Sequence, residues 1–253
     1  MIPQFAISLI CGLALTWCLM PRRQVTSGFF RIQNLLTLGM SVLAYLTAPQ
    51  LYETAWPARW LSVNSLRGLA AASGAISFVC SVLWTLERRQ AATVGAFLLL
   101  GVSLAMLLGL TPRDYPLIAP TTAGAALSSA WLIGASMGAM LLGHWYLTAT
   151  GMPLAPLVRL NWLYLAAALT RAAFAAGSLA TGPTIDWSAH GVWLGMRWGA
   201  GIVGPLVMAV LVFRILRYRN TQSATGVLFA AVILVFMGEM AATLLTRDRA
   251  WPA

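Results

Sequence analysis

Eight apolar stretches, each roughly twenty residues or longer and separated by short turns, fill nearly the whole chain. They run near 2–20, 29–48, 66–86, 91–110, 122–148, 160–182, 190–216 and 222–246. A helix needs about 20 mostly apolar residues to cross the ~30 Å hydrocarbon layer of a bilayer. Within that layer only helices and closed barrels satisfy their own backbone, and uninterrupted apolar runs of this length favour helices. Only 9% of the residues are charged and 60% are hydrophobic, whereas a soluble domain carries about 25% charged residues. The expected fold is all-α, a single polytopic transmembrane helix bundle over residues 1–253. A soluble enzyme, a disordered tail and a large extramembrane domain are excluded.

A net charge of +10 would suit nucleic acid if the basic residues shared one solvated face. They do not, so no nucleic-acid partner is expected. All 16 are arginines, placed in small groups between the apolar runs. Alternating the helices puts Arg22, Arg23, Arg31, Arg88, Arg89, Arg159, Arg214, Arg217 and Arg219 on one side. Arg59, Arg67, Arg113, Arg247 and Arg249 fall on the other. The positive-inside rule then predicts both termini outside. The lysine-free basic set and many alanines fit a GC-rich bacterial genome, hence a bacterial inner membrane. Residues 1–20 have no basic n-region, and Pro21-Arg22-Arg23 follows them, so they read as a first membrane helix rather than a signal peptide.

Cys11, Cys18 and Cys80 fall within apolar runs at no metal-ligand spacing, so they read as packing residues and no metal is expected. Tyr52, Trp56, Trp60, Trp187 and Trp193 mark interfacial belts in contact with membrane lipids. The inner turns at Arg22-Arg23-Gln24, Arg88-Arg89-Gln90 and Arg219-Asn220 read as short, positive capping loops.

Gly199-Ala-Gly201-Ile-Val-Gly204 copies the dinucleotide fingerprint, but no strand precedes it and Pro205 follows. It reads instead as a close-packed, kinked helix. Gly134 and Gly138 form a small-xxx-small stripe that serves either packing within the chain or a homodimer.

His144-Trp145-Tyr146 ends the fifth helix and could hold a quinone, the imidazole bonding a carbonyl and the rings packing it; an interfacial anchor is the plainer reading. His190 lies at the opposite end of the seventh helix, too far from His144 for one haem to bridge, so haem is not expected, nor any covalent cofactor. Arg171, Arg197 and Glu239 are charges inside helices six, seven and eight. Intramembrane charges are costly and mark functional sites by default. Arg197 and Glu239 fall at similar depth and are expected to pair, with Arg171 within reach. The cluster reads as a structural ion pair or a pocket for an anionic or quinone-like ligand. A glutamate held ionised by arginine is unsuited to carrying protons.

Arg197 early in the seventh helix followed by Gly238-Glu239 late in the eighth resembles the end of quinol-reacting membrane anchors of the dimethyl-sulfoxide and polysulfide reductase type. The resemblance covers the last quarter of the chain, and departs from that family at Ala241 and Ala242, where a basic residue usually follows. It implies a haem-free membrane subunit that passes quinol electrons to partner subunits and is not catalytic alone. A structural or assembly subunit and a small-molecule transporter are the other expectations.

Overall fold

The computed structural model describes residues 1–53, 59–111, 119–149, 151–181 and 187–249; side chains at 119–120, 181, 187–189 and 247–249 are outside that description. Trp56, Arg113 and the side chains of Trp187, Arg247 and Arg249 therefore lie outside the described residues. The helices are α1 (Ile2–Leu19), α2 (Ser27–Thr47), α3 (Val63–Thr85), α4 (Arg89–Gly109), α5 (Ala119–Thr148), α6 (Ala155–Thr181), α7 (Trp187–Trp198), α8 (Gly204–Arg217) and α9 (Thr221–Arg249). A π-helical turn, Gly199–Val203, joins α7 to α8 in one long span. Among the described residues there is no strand, and eight helical spans are long and apolar enough to cross a membrane. The chain is a multi-pass, all-α membrane protein.

The chain divides into two compact units, Met1–Gly134 and Ala135–Ala253, the boundary falling inside α5. In the first unit α1 packs on α2, α2 on α3, α3 on α4 and α4 back on α1. Short turns make sequential helices neighbours and close this ring. Its core includes Ile7, Cys11, Leu66, Ala70 and Met106. Gly12 and Gly134 meet backbone to backbone, so a Cβ on either would overlap the other's main chain. Gly134 is thus used for packing within the chain. A polar ladder ties α2 to α3: the Thr37 and Ser77 hydroxyls lie 3.0 Å apart, and those of Ser41 and Ser73 2.8 Å apart. Ser41 and Thr37 also donate to their own helix at Thr37 and Asn34. Such back-bonding keeps hydroxyls satisfied where water is absent.

In the second unit α9 packs on α7, the π turn and α8, while α6 packs on α8. Asn161 and Tyr164, one turn apart on α6, donate to the carbonyls of Ala209 and Pro205 at 2.9 Å each. Pro205 has no N–H to give its helix, and the tertiary bonds steady the span where its own ladder is interrupted. The arginine-rich turns differ locally. Arg22–Gln24 is a 3₁₀ turn, whereas Glu87 and Arg219 adopt left-handed backbone two residues before the starts of α4 and α9. At the second of these, Asn220 Oδ1 caps α9 by accepting from Ser223 N–H at 2.9 Å.

Candidate functional site: a buried Arg–Glu–Arg cluster

Gly201 of the π turn and Gly238 of α9 bring two helices together closely. A Cβ at Gly201 would lie 2.7 Å from Gly238 Cα and 3.1 Å from Arg197 Nη1, so only hydrogen fits there. Four residues before Gly201 stands Arg197, and directly after Gly238 stands Glu239. The glycine contact therefore carries the arginine to the carboxylate. The close packing expected from the glycine run is present, and a π turn interrupts the helix there. Such turns are frequent where a helix must re-aim a functional side chain.

Glu239 accepts from two helices at once. Arg171 of α6 holds it through the side edge of its guanidinium, Nε to Oε1 at 2.9 Å and Nη2 to Oε2 at 3.2 Å. Arg197 of α7 reaches Oε1 with Nη1 at 3.0 Å. The expected Arg197–Glu239 pair is present, but the fork-to-carboxylate partner is Arg171. Relative exposures are 3% for Arg171, 1% for Arg197 and 6% for Glu239. Two guanidiniums thus share one carboxylate, leaving one positive charge in excess among these three residues. Arg197 Nε and Nη2 are fully buried and have no hydrogen-bond partner among the described residues. A buried donor without a partner costs about 1–3 kcal/mol, more when charged. Arg197 therefore weakens the protein unless an acceptor reaches it.

The His144-Trp145-Tyr146 group sits elsewhere. His144 is exposed, its ring edge-on to Phe229 of α9 with centroids 6.3 Å apart. Trp145 is half-buried beside it. Tyr146 is buried and donates to the carbonyl of Pro153, tying the end of α5 to the start of α6. Phe229 and Glu239 are ten residues apart on one helix, about 15 Å at 1.5 Å per residue. The six candidate residues therefore form two places, not one pocket. Against models of protein families, curated proteins and solved structures, the chain finds no match.

Asn161 and Tyr164 escaped the sequence reading, although both are fully buried on the helix that carries Arg171. Their signal was present: an amide and a phenol three residues apart in an apolar helix share one face and need partners. Asn161 Oδ1 remains without one among the described residues. No group of three or more His, Cys, Asp or Glu suited to a metal occurs among the described residues.

Proposed function

We propose that the chain is the membrane subunit of a respiratory or redox complex, in which the Arg171–Glu239–Arg197 cluster receives the polar head of a quinone or quinol. One observation carries this reading: a buried cluster whose Arg197 keeps two donors beyond the one its internal partner uses. A cluster built only to tie helices gains nothing from stranded donors. The resemblance of Arg197 and Gly238-Glu239 to quinol-reacting anchors supports the same end of the chain. His144 is too distant along α9 to touch that head and serves as an end anchor against Phe229. In this reading both termini lie outside, the arginine-rich turns after α1, α3 and α8 face the cytoplasm of a bacterium, and soluble partner subunits carry the redox centres.

Purification from native membranes tests this, with mass spectrometry of co-purifying subunits and extraction of bound quinone. Stoichiometric quinone and a redox partner are expected. A chain isolated with neither refutes the proposal. The competing reading is a structural staple, and the observation in its favour is that one carboxylate joins α6, α7 and α9.

A further inference from the structure

We infer that the arginine-rich end of the first unit is a docking surface for an acidic phospholipid, its phosphate held between the turn after α1 and the start of α4. The observations behind this are separate from the Arg171–Glu239–Arg197 cluster.

Five arginines lie at this end: Arg22 and Arg23 after α1, Arg31 in α2, and Arg88 and Arg89 where α3 gives way to α4. The two turns touch. Arg89 Nη1 donates to the carbonyl of Arg23 at 3.5 Å, and Ser27 Oγ donates to Glu87 Oε1 at 3.4 Å. Arg23, Arg31, Arg88 and Arg89 are exposed, and none of the five arginines pairs with a carboxylate among the described residues.

Loops between spans are commonly basic, but helix starts are not. The positive end of a helix dipole favours an acid or a capping oxygen. Here α2 and α4 both open without a side-chain cap and without an acid in the first turn. Arg88 and Arg89 stand at the start of α4 instead, and the acid before them, Glu87, faces Ser27 of the other turn. Like charges gathered at a helix start cost stability until an anion reaches them. A phosphate answers both needs, because its oxygens accept from guanidiniums and from helix-start N–H groups alike.

Arg22 makes the anion a lipid. It turns back from its turn along the membrane-spanning surface. Its Nη1 donates to the Trp17 carbonyl in the last turn of α1 at 3.0 Å, and its guanidinium lies over the Phe97 ring of α4, 5.3 Å from the centroid. Phe97 is exposed within a span, on surface that acyl chains cover. An acidic segment of a soluble protein could meet Arg23, Arg88 and Arg89 but has nothing to lay on Phe97. A phospholipid meets both, with its phosphate on the arginines and its chains along the ring.

The full chain, stripped of lipid in a non-ionic detergent, is titrated with four probes, reading dissociation constants and thermal shifts. They are dioctanoyl-phosphatidylglycerol, dioctanoyl-phosphatidylcholine, inorganic phosphate and a polyglutamate peptide. Phosphatidylglycerol is expected to bind best. Arg23→Gln, Arg88→Gln and Arg89→Gln together should weaken it about a hundredfold, from roughly fivefold per arginine near a membrane surface. Arg214→Gln, Arg217→Gln and Arg219→Gln together remove equal charge from exposed positions of the second unit and should leave binding nearly unchanged. Equal loss in the two triple variants shows attraction by net charge alone and overturns the site. Equal binding of the two phospholipids overturns it as well. Phosphate or polyglutamate that binds as tightly as phosphatidylglycerol and displaces it makes a soluble anion or an acidic protein the occupant, and the lipid assignment falls. A photoactivatable phosphatidylglycerol added to the wild-type chain decides the matter even if a variant does not fold. Its label should concentrate in 17–31 and 87–97, and a label centred elsewhere overturns the inference.

Discussion

Glu239 and Arg197 form one ion pair, yet their removal should have opposite consequences. Glu239→Gln takes the shared carboxylate away from two guanidiniums that are 3% and 1% exposed. Breaking a buried pair by removing one partner costs about 3–5 kcal/mol, and here two arginines lose the same carboxylate. Arg197→Met removes one charged hydrogen bond to Glu239, worth about 1.5–3 kcal/mol. It also removes two buried unpartnered donors, each costing about 1–3 kcal/mol, and leaves the two-point Arg171–Glu239 pair intact. At mid-range about 2 kcal/mol is lost against about 4 kcal/mol relieved, so ligand-free Arg197→Met should be more stable than wild type by about 2 kcal/mol. Functional residues commonly cost stability in this manner. Adding Arg197→Met to Glu239→Gln should recover part of the loss, because it removes one of the two guanidiniums that lost the carboxylate. Equilibrium unfolding in mixed micelles, with hydrogen exchange on α9 as a second readout, measures all three variants. Equal losses from Glu239→Gln and Arg197→Met, with simple additivity in the double variant, would refute the shared-carboxylate account.

At the glycine contact, Gly238→Ala should lower the melting temperature clearly because its methyl enters Gly201 backbone, whereas Gly226→Ala on the same helix meets nothing within 4 Å and should be neutral or slightly stabilising. Tyr164→Phe should cost about 1 kcal/mol by freeing the Pro205 carbonyl; thermal unfolding checks it, and an unchanged midpoint would show that the bond contributes nothing. In the first unit, a double-mutant cycle of Ser41→Ala with Ser73→Ala should give a coupling of about 0.6 kcal/mol, the usual size for interhelical hydrogen bonds in membranes. Reporter fusions after Arg89 and after Arg249 should give opposite sidedness; the same sidedness would break the eight-span alternation.

The number of spans and their all-helical nature were legible from sequence, because each apolar run independently satisfies the length and backbone requirements of a bilayer. So was the identity of the buried charges, since any arginine or glutamate inside such a run is conspicuous. The irregularity at Gly199–Val203 could also be anticipated, as Pro205 lacks an N–H wherever it stands. Partner choice was a different matter. Depth along each helix paired Arg197 with Glu239, but the azimuth of α6 and the close crossing of Gly201 and Gly238 made Arg171 the two-point partner. The separation of His144 from the cluster was legible, since alternating the helices puts it at the end opposite His190 and Arg197, and its contact with Phe229 agrees. Whether Gly134 packs inwardly or against another copy was open until Gly12 proved to be its neighbour. Hydropathy is a local sum that each helix carries by itself. Which edge of a guanidinium meets a carboxylate depends on the rotations and crossings of three helices, and those exist only in the packed structure.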